Sequence, residues 1–198
     1  NGVTRLAAAP TSVLAVVSGA AGTLLSAGRL ASNSQTSDQY QLVDSVTIAA
    51  ANSVGARVVV SALLDNTNYT ITLNGVSYTY NSGAAATQLS ILTNLAGLMP
   101  VYITATVTGS GSNAVMDLKY DTPQPIVVGA RLAISSLSVY GTFAATRPGP
   151  TVLLPGGLDT IVTPISGWES VTNRSPGTTG RNAETDSELR SRRAKSLK

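Results

Sequence analysis

The sequence contains neither cysteine nor histidine among its 198 residues. Without cysteine the chain forms no disulfide bond, offers no thiolate nucleophile and supplies no sulfur ligand for zinc. Without histidine it has neither a Ser-His-Asp triad nor an imidazole base. The two absences together exclude the commonest catalytic and zinc-binding arrangements before any motif is considered.

Charged and aromatic residues are also scarce. Charged residues make up 12% of the chain, which has one Phe and one Trp, but a hydrophobic fraction of 43% excludes a highly charged, disordered chain. The sequence is instead rich in serine (23) and threonine (24), with 18 Gly and 9 Pro, a composition that favours short β-strands joined by turns. No uninterrupted apolar run reaches the length of about 18 residues that a membrane-spanning helix needs.

The formal net charge of +3 is unevenly distributed. Residues 1–173 contain 6 Lys and Arg against 7 Asp and Glu, whereas residues 174–198 contain 7 against 3. A nucleic-acid-binding domain more often spreads basic residues over a folded face, with aromatic residues between them. We therefore expect a near-neutral body with a basic C-terminal segment, and no nucleic-acid partner, membrane insertion or small-molecule substrate.

The central region has the clearest local pattern. Polar and apolar residues alternate on both sides of Asn74-Gly75, which predicts a β-hairpin. Leucines at helical spacing then predict a helix over residues 84–99, and two further strand patterns follow it. The order hairpin, helix, hairpin predicts an inserted α+β subdomain over residues 66–140.

The rest of the sequence is interpreted as mainly β. Residues 1–65 and 141–173 together predict a discontinuous β-rich domain with a β-sandwich-like body. Within it, residues 23–32 predict one strand with a kink or bulge at Gly28, and residues 40–49 predict another strand. Residues 174–198 predict a loop followed by the start of a basic helix.

The C-terminal helix has a recognisable start signal. Thr185 is followed three residues later by Glu188, which is the spacing of a capping box. Asp186 with Arg190, and Glu188 with Arg192, have the spacing of helical ion pairs. The helical pattern meets no Gly or Pro stop, and the chain begins with Asn rather than Met. We therefore expect a truncated helix in a fragment of a longer polypeptide.

The titratable residues show no catalytic pattern. The seven Asp residues are scattered, mostly at predicted turns and strand ends, and Lys119 is the only lysine before residue 195. The sequence therefore favours neither a carboxylate pair nor a Ser-Lys pair, and no acidic loop has the spacing of a calcium site. We expect no enzyme activity, no catalytic residue, no cofactor and no metal site.

Aromatic residues provide two candidate binding features. Tyr69, Tyr78 and Tyr80 lie on the predicted central hairpin, where exposed rings would stack on sugars in a carbohydrate-binding module. The alternative is that they pack across the strands of a half-buried sheet. Trp168, the single tryptophan, is either a core anchor or an anchor for a partner interface.

An ordered set of residues near the C-terminus has a family-like spacing. Its members are Pro155, Gly156, Ile165, Gly167, Val171, Asn173, Gly180, Glu184, Glu188, Leu189, Arg190 and Arg192. In this order the region 155–198 resembles the baseplate J-like family of contractile-tailed phages, in which such a sequence closes a β-rich domain and begins the next helix. Trp168 departs from the small aliphatic residue that is usual in the family.

Two other regions show weaker similarity to phage tail proteins. Residues 22–29 resemble a strand pair of the same family, with Ser26 where a proline is usual. Residues 68–99 are similar to small α+β insertions that occur in several phage tail proteins.

The resemblance implies a structural role without catalytic residues. Proteins of this family form baseplate wedges in phages and related contractile injection machines, where they contact their own copies and neighbouring wedge proteins. It thus implies a phage or prophage-derived wedge component that is made in the host cytoplasm and located in the virion tail baseplate. The alternative function is a tail-fibre or adhesin-like carbohydrate-binding module. The candidate partner-interface residues are Trp168, Asn173, Glu188, Arg190, Arg192 and Arg193.

Overall fold

The computed structural model describes residues 3–196 and confirms the mainly β fold class with a C-terminal helix. The predicted domain and helix also include Asn1, Gly2, Leu197 and Lys198, which lie outside the described residues. The two α-helices of the described part are α1 (Gln88–Leu98) and α2 (Asp186–Ser196). The strands are β1 (Ser12–Gly19), β2 (Leu24–Leu25), β3 (Leu30–Ser32), β4 (Gln39–Leu42), β5 (Val46–Thr47), β6 (Ser53–Val60), β7 (Asn68–Leu73), β8 (Val76–Asn81), β9 (Thr104–Thr108), β10 (Val115–Gln124), β11 (Ile126–Val128), β12 (Leu132–Ala145), β13 (Thr160–Ile161) and β14 (Trp168–Thr172).

The long strand β12 organises a nine-stranded antiparallel sheet. One edge of β12 pairs first with β6 and then with β4, and its other edge pairs with β1. The sheet continues from β4 to β3 and β13, from β6 to β10 and β9, and from β1 to β14. The 14 residues of β12 therefore pair with three neighbouring strands.

Phe143 marks the centre of the core beneath this sheet. It is fully buried on β12, and it lies opposite Val13 of β1 and Leu42 of β4. Most residues of the buried core are Val, Leu and Ile, which fit a pleated surface well and contribute through the removal of apolar area from water.

A smaller three-stranded sheet, in the order β11-β7-β8, packs with α1. The helix buries Ile91, Leu92 and Leu95. It begins at residue 88 rather than 84 because Thr87 is the N-cap, whose hydroxyl accepts a hydrogen bond from the Ser90 N–H. Neither helix of the described residues is long and apolar enough to cross a membrane.

The predicted subdomain over residues 66–140 shares a sheet with the rest of the chain. Its strands β9 and β10 extend the large sheet through β6, and β12 runs across residue 140. Strands from both sides of the predicted boundary thus pair directly, and the division into two domains stays a prediction.

Each of the two single strands predicted for residues 23–32 and 40–49 is divided in two. The first becomes β2 and β3, the second becomes β4 and β5, and the resulting pairs are β2 with β5 and β3 with β4. The interruption coincides with a turn at Ala27, whose N–H donates to the Ser45 hydroxyl over 3.0 Å. The first segment is interrupted at the predicted Gly28, which has a φ of 85°, but a turn rather than a kink or bulge lies there. The prediction of one strand for each segment was wrong, because the Ala27–Ser45 contact joins residues 18 positions apart and no local pattern contains it.

The Asn74-Gly75 turn confirms the predicted hairpin and gives a test of its backbone geometry. Both residues have positive φ, 47° and 79°, as a two-residue turn of this hairpin requires. We expect Gly75→Ala to lower the free energy of unfolding by about 1–2 kcal/mol because an L side chain is strained at this φ. Gly97→Ala, at an exposed helical site with open space around it, should raise the same quantity by about 0.5–1 kcal/mol. Urea denaturation of both variants measures the difference, and effects of the same sign would contradict this interpretation.

Candidate functional site

The two ends of the described chain lie side by side and form what we call the terminal clasp, residues 3–12 with residues 178–193. The segments run antiparallel, and backbone hydrogen bonds of 2.7–3.0 Å hold them in register. The bonded pairs are Leu6 with Glu184, Ala9 with Arg181, and Ser12 with Thr178. The clasp therefore fixes where α2 leaves the β-rich body.

Glu184 is the central side chain of the terminal clasp. It is 9% exposed, and its carboxylate accepts two hydrogen bonds from Arg192, at 2.8 Å from Nε and 2.7 Å from Nη2. The backbone N–H of Leu6 donates a third at 3.0 Å. The bidentate pair with Arg192, followed by the Leu6 bond, lowers the pKa of Glu184 from 4.5 to about 2. The group is therefore ionised throughout the neutral range.

Further polar contacts hold α2 against the N-terminal segment. The guanidinium of Arg192 also donates to the Thr4 carbonyl, and that of Arg193 donates to the Val3 carbonyl over 3.2 Å. Arg5 forms an ion pair with Asp186 at the start of the helix. These partners replace the predicted pairs of Asp186 with Arg190 and of Glu188 with Arg192. Asp186 pairs instead with Arg5 of the N-terminal segment, and Arg192 pairs with Glu184 just before the helix.

Glu188 has the capping role that its spacing predicts. Its carboxylate accepts a hydrogen bond from the Thr185 N–H over 2.7 Å, and its own N–H approaches the Thr185 hydroxyl at 3.4 Å. The backbone bond from Thr185 is the main cause of the lowered pKa of Glu188. Glu188 thus stabilises the start of α2, as the sequence predicts from a capping box.

The cap gives a prediction for the stability of α2. We expect Thr185→Ala to destabilise the helix by about 1 kcal/mol, the usual cost of losing a hydroxyl N-cap. Hydrogen exchange of the Leu189 N–H, which donates to the Thr185 carbonyl, measures the local effect. Ser191→Ala is the matched control, since the Ser191 hydroxyl bonds only back to Ser187 O within the helix. Equal acceleration of exchange in both variants would exclude a capping role.

Gly180 lies where three segments of the chain meet. A Cβ atom there would overlap the carbonyl oxygens of Ala9 and Gly149, so the close approach requires glycine. The Gly180 N–H donates to the hydroxyl of the buried Thr11, which in turn donates to the Thr151 carbonyl over 2.6 Å. Gly180 and Thr11 thus anchor the terminal clasp to the loop that precedes β13.

Two predicted interface residues are buried inside the chain. Trp168 is 5% exposed, packs in the core and donates from its indole N–H to Ser170 O over 3.0 Å. Asn173 is 1% exposed. Neither side chain is available to a partner, so their assignment to an interface was wrong. For Trp168 the structure selects the core role that the sequence left open.

Asn173 instead connects three stretches of backbone. Its amide oxygen accepts from the Leu158 N–H over 2.8 Å, and its NH₂ group donates to Leu154 O and Ser175 O, each over 2.8 Å. The amide oxygen and both amide hydrogens of Asn173 therefore each have a hydrogen-bond partner within the chain. The side chain holds the loop before β13 against the exit of β14.

Arg174, the next residue, is fixed to the large sheet. Its guanidinium donates to Tyr120 O over 2.7 Å and Val54 O over 3.0 Å, and pairs with Asp121. It also lies over the Tyr140 ring at 5.9 Å from the centroid. The sequence presented Arg174 only as part of a basic tail, whereas the structure gives it a role in joining that tail to the sheet.

The three candidate sugar-stacking tyrosines do not form an exposed platform. Tyr69 is 1% exposed, and its hydroxyl donates to the Ala62 carbonyl. Tyr78 and Tyr80 are half-buried on β8 and pack against the core, and burial, with Tyr102 beside it, raises the pKa of Tyr78. The assignment of Tyr69 to a sugar site was wrong because its ring faces the helix side of the sheet.

A groove of about 570 Å³ crosses the exposed face of the large sheet, with charged residues along it. Arg57 forms a bidentate pair with Asp117, at 2.8 and 3.1 Å, and this pair raises the pKa of Arg57. Glu169 accepts a hydrogen bond from Ser136 over 2.8 Å. Asp117 and Glu169 thus each have a partner within the groove, whose other charged residues are Lys119 and Arg174.

Residues 3–196 contain no group of three or more side chains suited to hold a metal ion. Arg190, the remaining predicted interface residue, is exposed on α2 and lies two residues before Arg192.

Comparison of the sequence with protein-family models and with curated proteins found no match. The site is therefore defined by its geometry, which is a polar clasp with a short, mostly exposed basic helix at its end.

Glu184 and its N-terminal partners were not among the predicted site residues. Glu184 and Arg192 belong to the ordered set that carries the family resemblance, and that was the one available signal. Arg5 and Leu6 carry no local pattern, because their partners lie about 180 residues away.

Proposed function

We propose that this chain is a structural component of a contractile-tail baseplate wedge, from a phage or a prophage-derived particle, and that it acts by protein–protein assembly rather than by catalysis. Its expected place is the baseplate of the virion, among other wedge proteins and its own copies. The sequence resemblance over residues 155–198 is the starting point for this proposal.

One structural observation carries the proposal further. Three residues of the family-like set, Gly180, Glu184 and Arg192, make the close contacts of the terminal clasp. Their convergence on one feature supports the view that the set specifies a particular junction between a β-domain and the helix after it.

The terminal clasp suits a mechanical role. It holds α2 through a bidentate ion pair and several backbone contacts, so the direction of the helix is fixed relative to the sheet. Arg190 and Lys195 are exposed on this helix. A wedge protein bound there would be held at a defined angle to the body, and a change in its position would be passed to the sheet through the clasp.

Immunogold electron microscopy of tailed particles from the source organism tests the proposal. Antibodies against the purified chain should label the baseplate end of the tail. Label on the sheath, the capsid or the distal tips of fibres would contradict it, and label at the fibre tips would favour the carbohydrate-binding alternative. A glycan array with the purified chain separates these further, since specific binding that Tyr78→Ala and Tyr80→Ala abolish is expected only for the alternative.

A further inference from the structure

The segment 66–116 contains no charged residue, although 12% of the whole chain is charged. This segment forms β7, β8, α1 and β9, and several of its apolar side chains are exposed. Val76 is 54% exposed, Tyr102 is 63% exposed, and Val101 is fully exposed. Protein interfaces are depleted of charge and enriched in aromatic side chains at their centres. A neutral surface with exposed apolar residues is therefore the part of the molecule best suited to a partner.

Strand β8 lies at the edge of this neutral surface and its outer side is unpaired within residues 3–196. The register through the Asn74-Gly75 turn places Leu73 opposite Val76. In a pair next to a two-residue turn, the backbone N–H of each residue donates to the carbonyl of the other. The Ser82 N–H to Thr67 O bond of 2.9 Å continues the same alternation. The backbone groups that face outward from β8 are thus those of Ser77, Thr79 and Asn81.

This edge has none of the usual protection against pairing. Natural edge strands carry Lys, Pro or bulges, or are short or covered, because unpaired N–H and C=O groups attract other strands. Strand β8 reads Val-Ser-Tyr-Thr-Tyr-Asn, pairs with β7 over six consecutive positions without a bulge, and has exposed Ser77, Thr79 and Asn81 side chains. We infer that a second copy of this chain pairs along β8 in an antiparallel, two-fold arrangement.

The strand is self-complementary in one particular register. If the two-fold axis passes through Thr79, the outward-facing residues Ser77, Thr79 and Asn81 meet Asn81, Thr79 and Ser77 of the second copy. All three positions then exchange backbone hydrogen bonds, whereas a shift of the axis by one residue leaves one of the three without a strand partner. The combined sheet would have the order β11-β7-β8-β8-β7-β11.

Side chains on both faces fit this register. On the outer face, hydroxyl pairs already run across the hairpin, with 2.9 Å between the oxygens of Thr70 and Thr79 and also between those of Thr72 and Ser77. A Thr79–Thr79 pair would extend this row across the two-fold axis. On the other face Tyr78 would lie opposite Tyr80 of the second copy, twice over, and aromatic cross-strand pairs are favourable.

Charge and symmetry favour a second copy over an unrelated strand. A charged edge would oppose its own image, whereas this neutral edge meets no such repulsion. Two-fold pairing also closes on itself, so association stops at the dimer. The strand edge is small, and Val76 on β8 and Tyr102 beside Tyr78 add apolar area. We therefore expect a weak dimer, with a dissociation constant of about 1 μM or weaker. The inference does not depend on the proposed function.

Sedimentation of the purified chain over a wide concentration range tests it with two matched variants. Thr79→Lys and Thr70→Lys remove the same hydroxyl pair within one copy and add the same charge to the same face. Only Thr79→Lys brings two ammonium groups opposite each other across the axis. The parent and Thr70→Lys should dimerise, and Thr79→Lys should weaken the dimer at least tenfold. A parent that is monomeric throughout, or equal dimerisation of the two variants, would overturn the inference.

The absence of cysteine from the chain allows an independent test by cross-linking. With a short bis-maleimide reagent Thr79→Cys should form a covalent dimer, because the Cβ atoms of directly paired residues on neighbouring strands are about 5 Å apart. Thr70→Cys should not, because its copy lies three strand spacings away, about 14 Å. Circular dichroism of each variant confirms folding. Equal cross-linking of both, or of neither, would contradict pairing along β8.

Discussion

Replacing Asn173 with alanine is expected to lower the free energy of unfolding by about 2 kcal/mol, the largest loss we anticipate from one polar residue. The substitution leaves the buried Leu158 N–H without its acceptor. It also removes one donor from each of the part-buried carbonyls of Leu154 and Ser175, of which Leu154 keeps the Gly157 N–H. Each buried group that loses its hydrogen bond costs about 1–3 kcal/mol. Because domains are stable by only about 5–15 kcal/mol, this is a large fraction of the total.

Two further variants separate hydrogen bonding from packing at this position. Asn173→Asp keeps an acceptor for the Leu158 N–H but places a carboxylate oxygen against two carbonyls, so we expect it to be at least as destabilising at neutral pH. Asn182→Ala is the control, an exposed asparagine in the clasp segment whose loss should change stability by less than about 0.5 kcal/mol. Urea denaturation measures all three. A loss below about 1 kcal/mol for Asn173→Ala would show that the hydrogen bonds of the Asn173 side chain contribute little to stability.

Acidification is expected to open the terminal clasp between pH 4.5 and pH 2. The pKa of Glu184 falls to about 2 in the folded chain, mainly through Arg192, so in this range the unfolded chain binds more protons than the folded one. The stabilisation is therefore complete above pH 4.5 and is lost as the pH falls through 2. Hydrogen exchange of the Leu6, Ala9 and Arg181 amides, all bonded within the clasp, should report the opening.

Substitution of Glu184 identifies the group responsible. Glu184→Gln removes the charge that faces Arg192, so the clasp amides should exchange several-fold faster at pH 7 and depend less on pH than in the parent. Asp44→Asn removes an exposed carboxylate of the body and should leave these amides unchanged. The pKa values of Glu188 and Asp159 are also lowered, so only the difference between parent and variant belongs to Glu184. Identical pH profiles for parent and Glu184→Gln would rule out this explanation.

The sequence predicted those features whose causes are local. The Asn74-Gly75 turn follows from two residues that tolerate positive φ, and the cap of α2 follows from Thr185 and the carboxylate of Glu188 three residues later. The hairpin β7–β8 follows from the alternation of polar and apolar residues on both sides of that turn. In each case the interacting groups lie within a few residues, so their spacing carries the information.

The terminal clasp could not be predicted in the same way. Leu6 and Glu184 are far apart in sequence, and neither belongs to a periodic pattern. The same limit explains why Tyr69 and Trp168 were assigned to binding surfaces. Whether an aromatic ring is exposed depends on which face of a sheet packs against a helix or the core. Tyr69 and Trp168 are buried by contacts made with distant elements. Only the family-like spacing of Glu184 and Arg192 indicated that the junction mattered.

A cryo-electron-microscopy map of the tailed particle at side-chain resolution would place the chain among its neighbours. We expect density for the clasp of residues 3–12 and 178–193 within the baseplate, with the Glu184–Arg192 pair intact and α2 in contact with an adjacent wedge subunit. Density for this chain outside the baseplate, or a baseplate in which α2 contacts no neighbouring subunit, would contradict the proposed function.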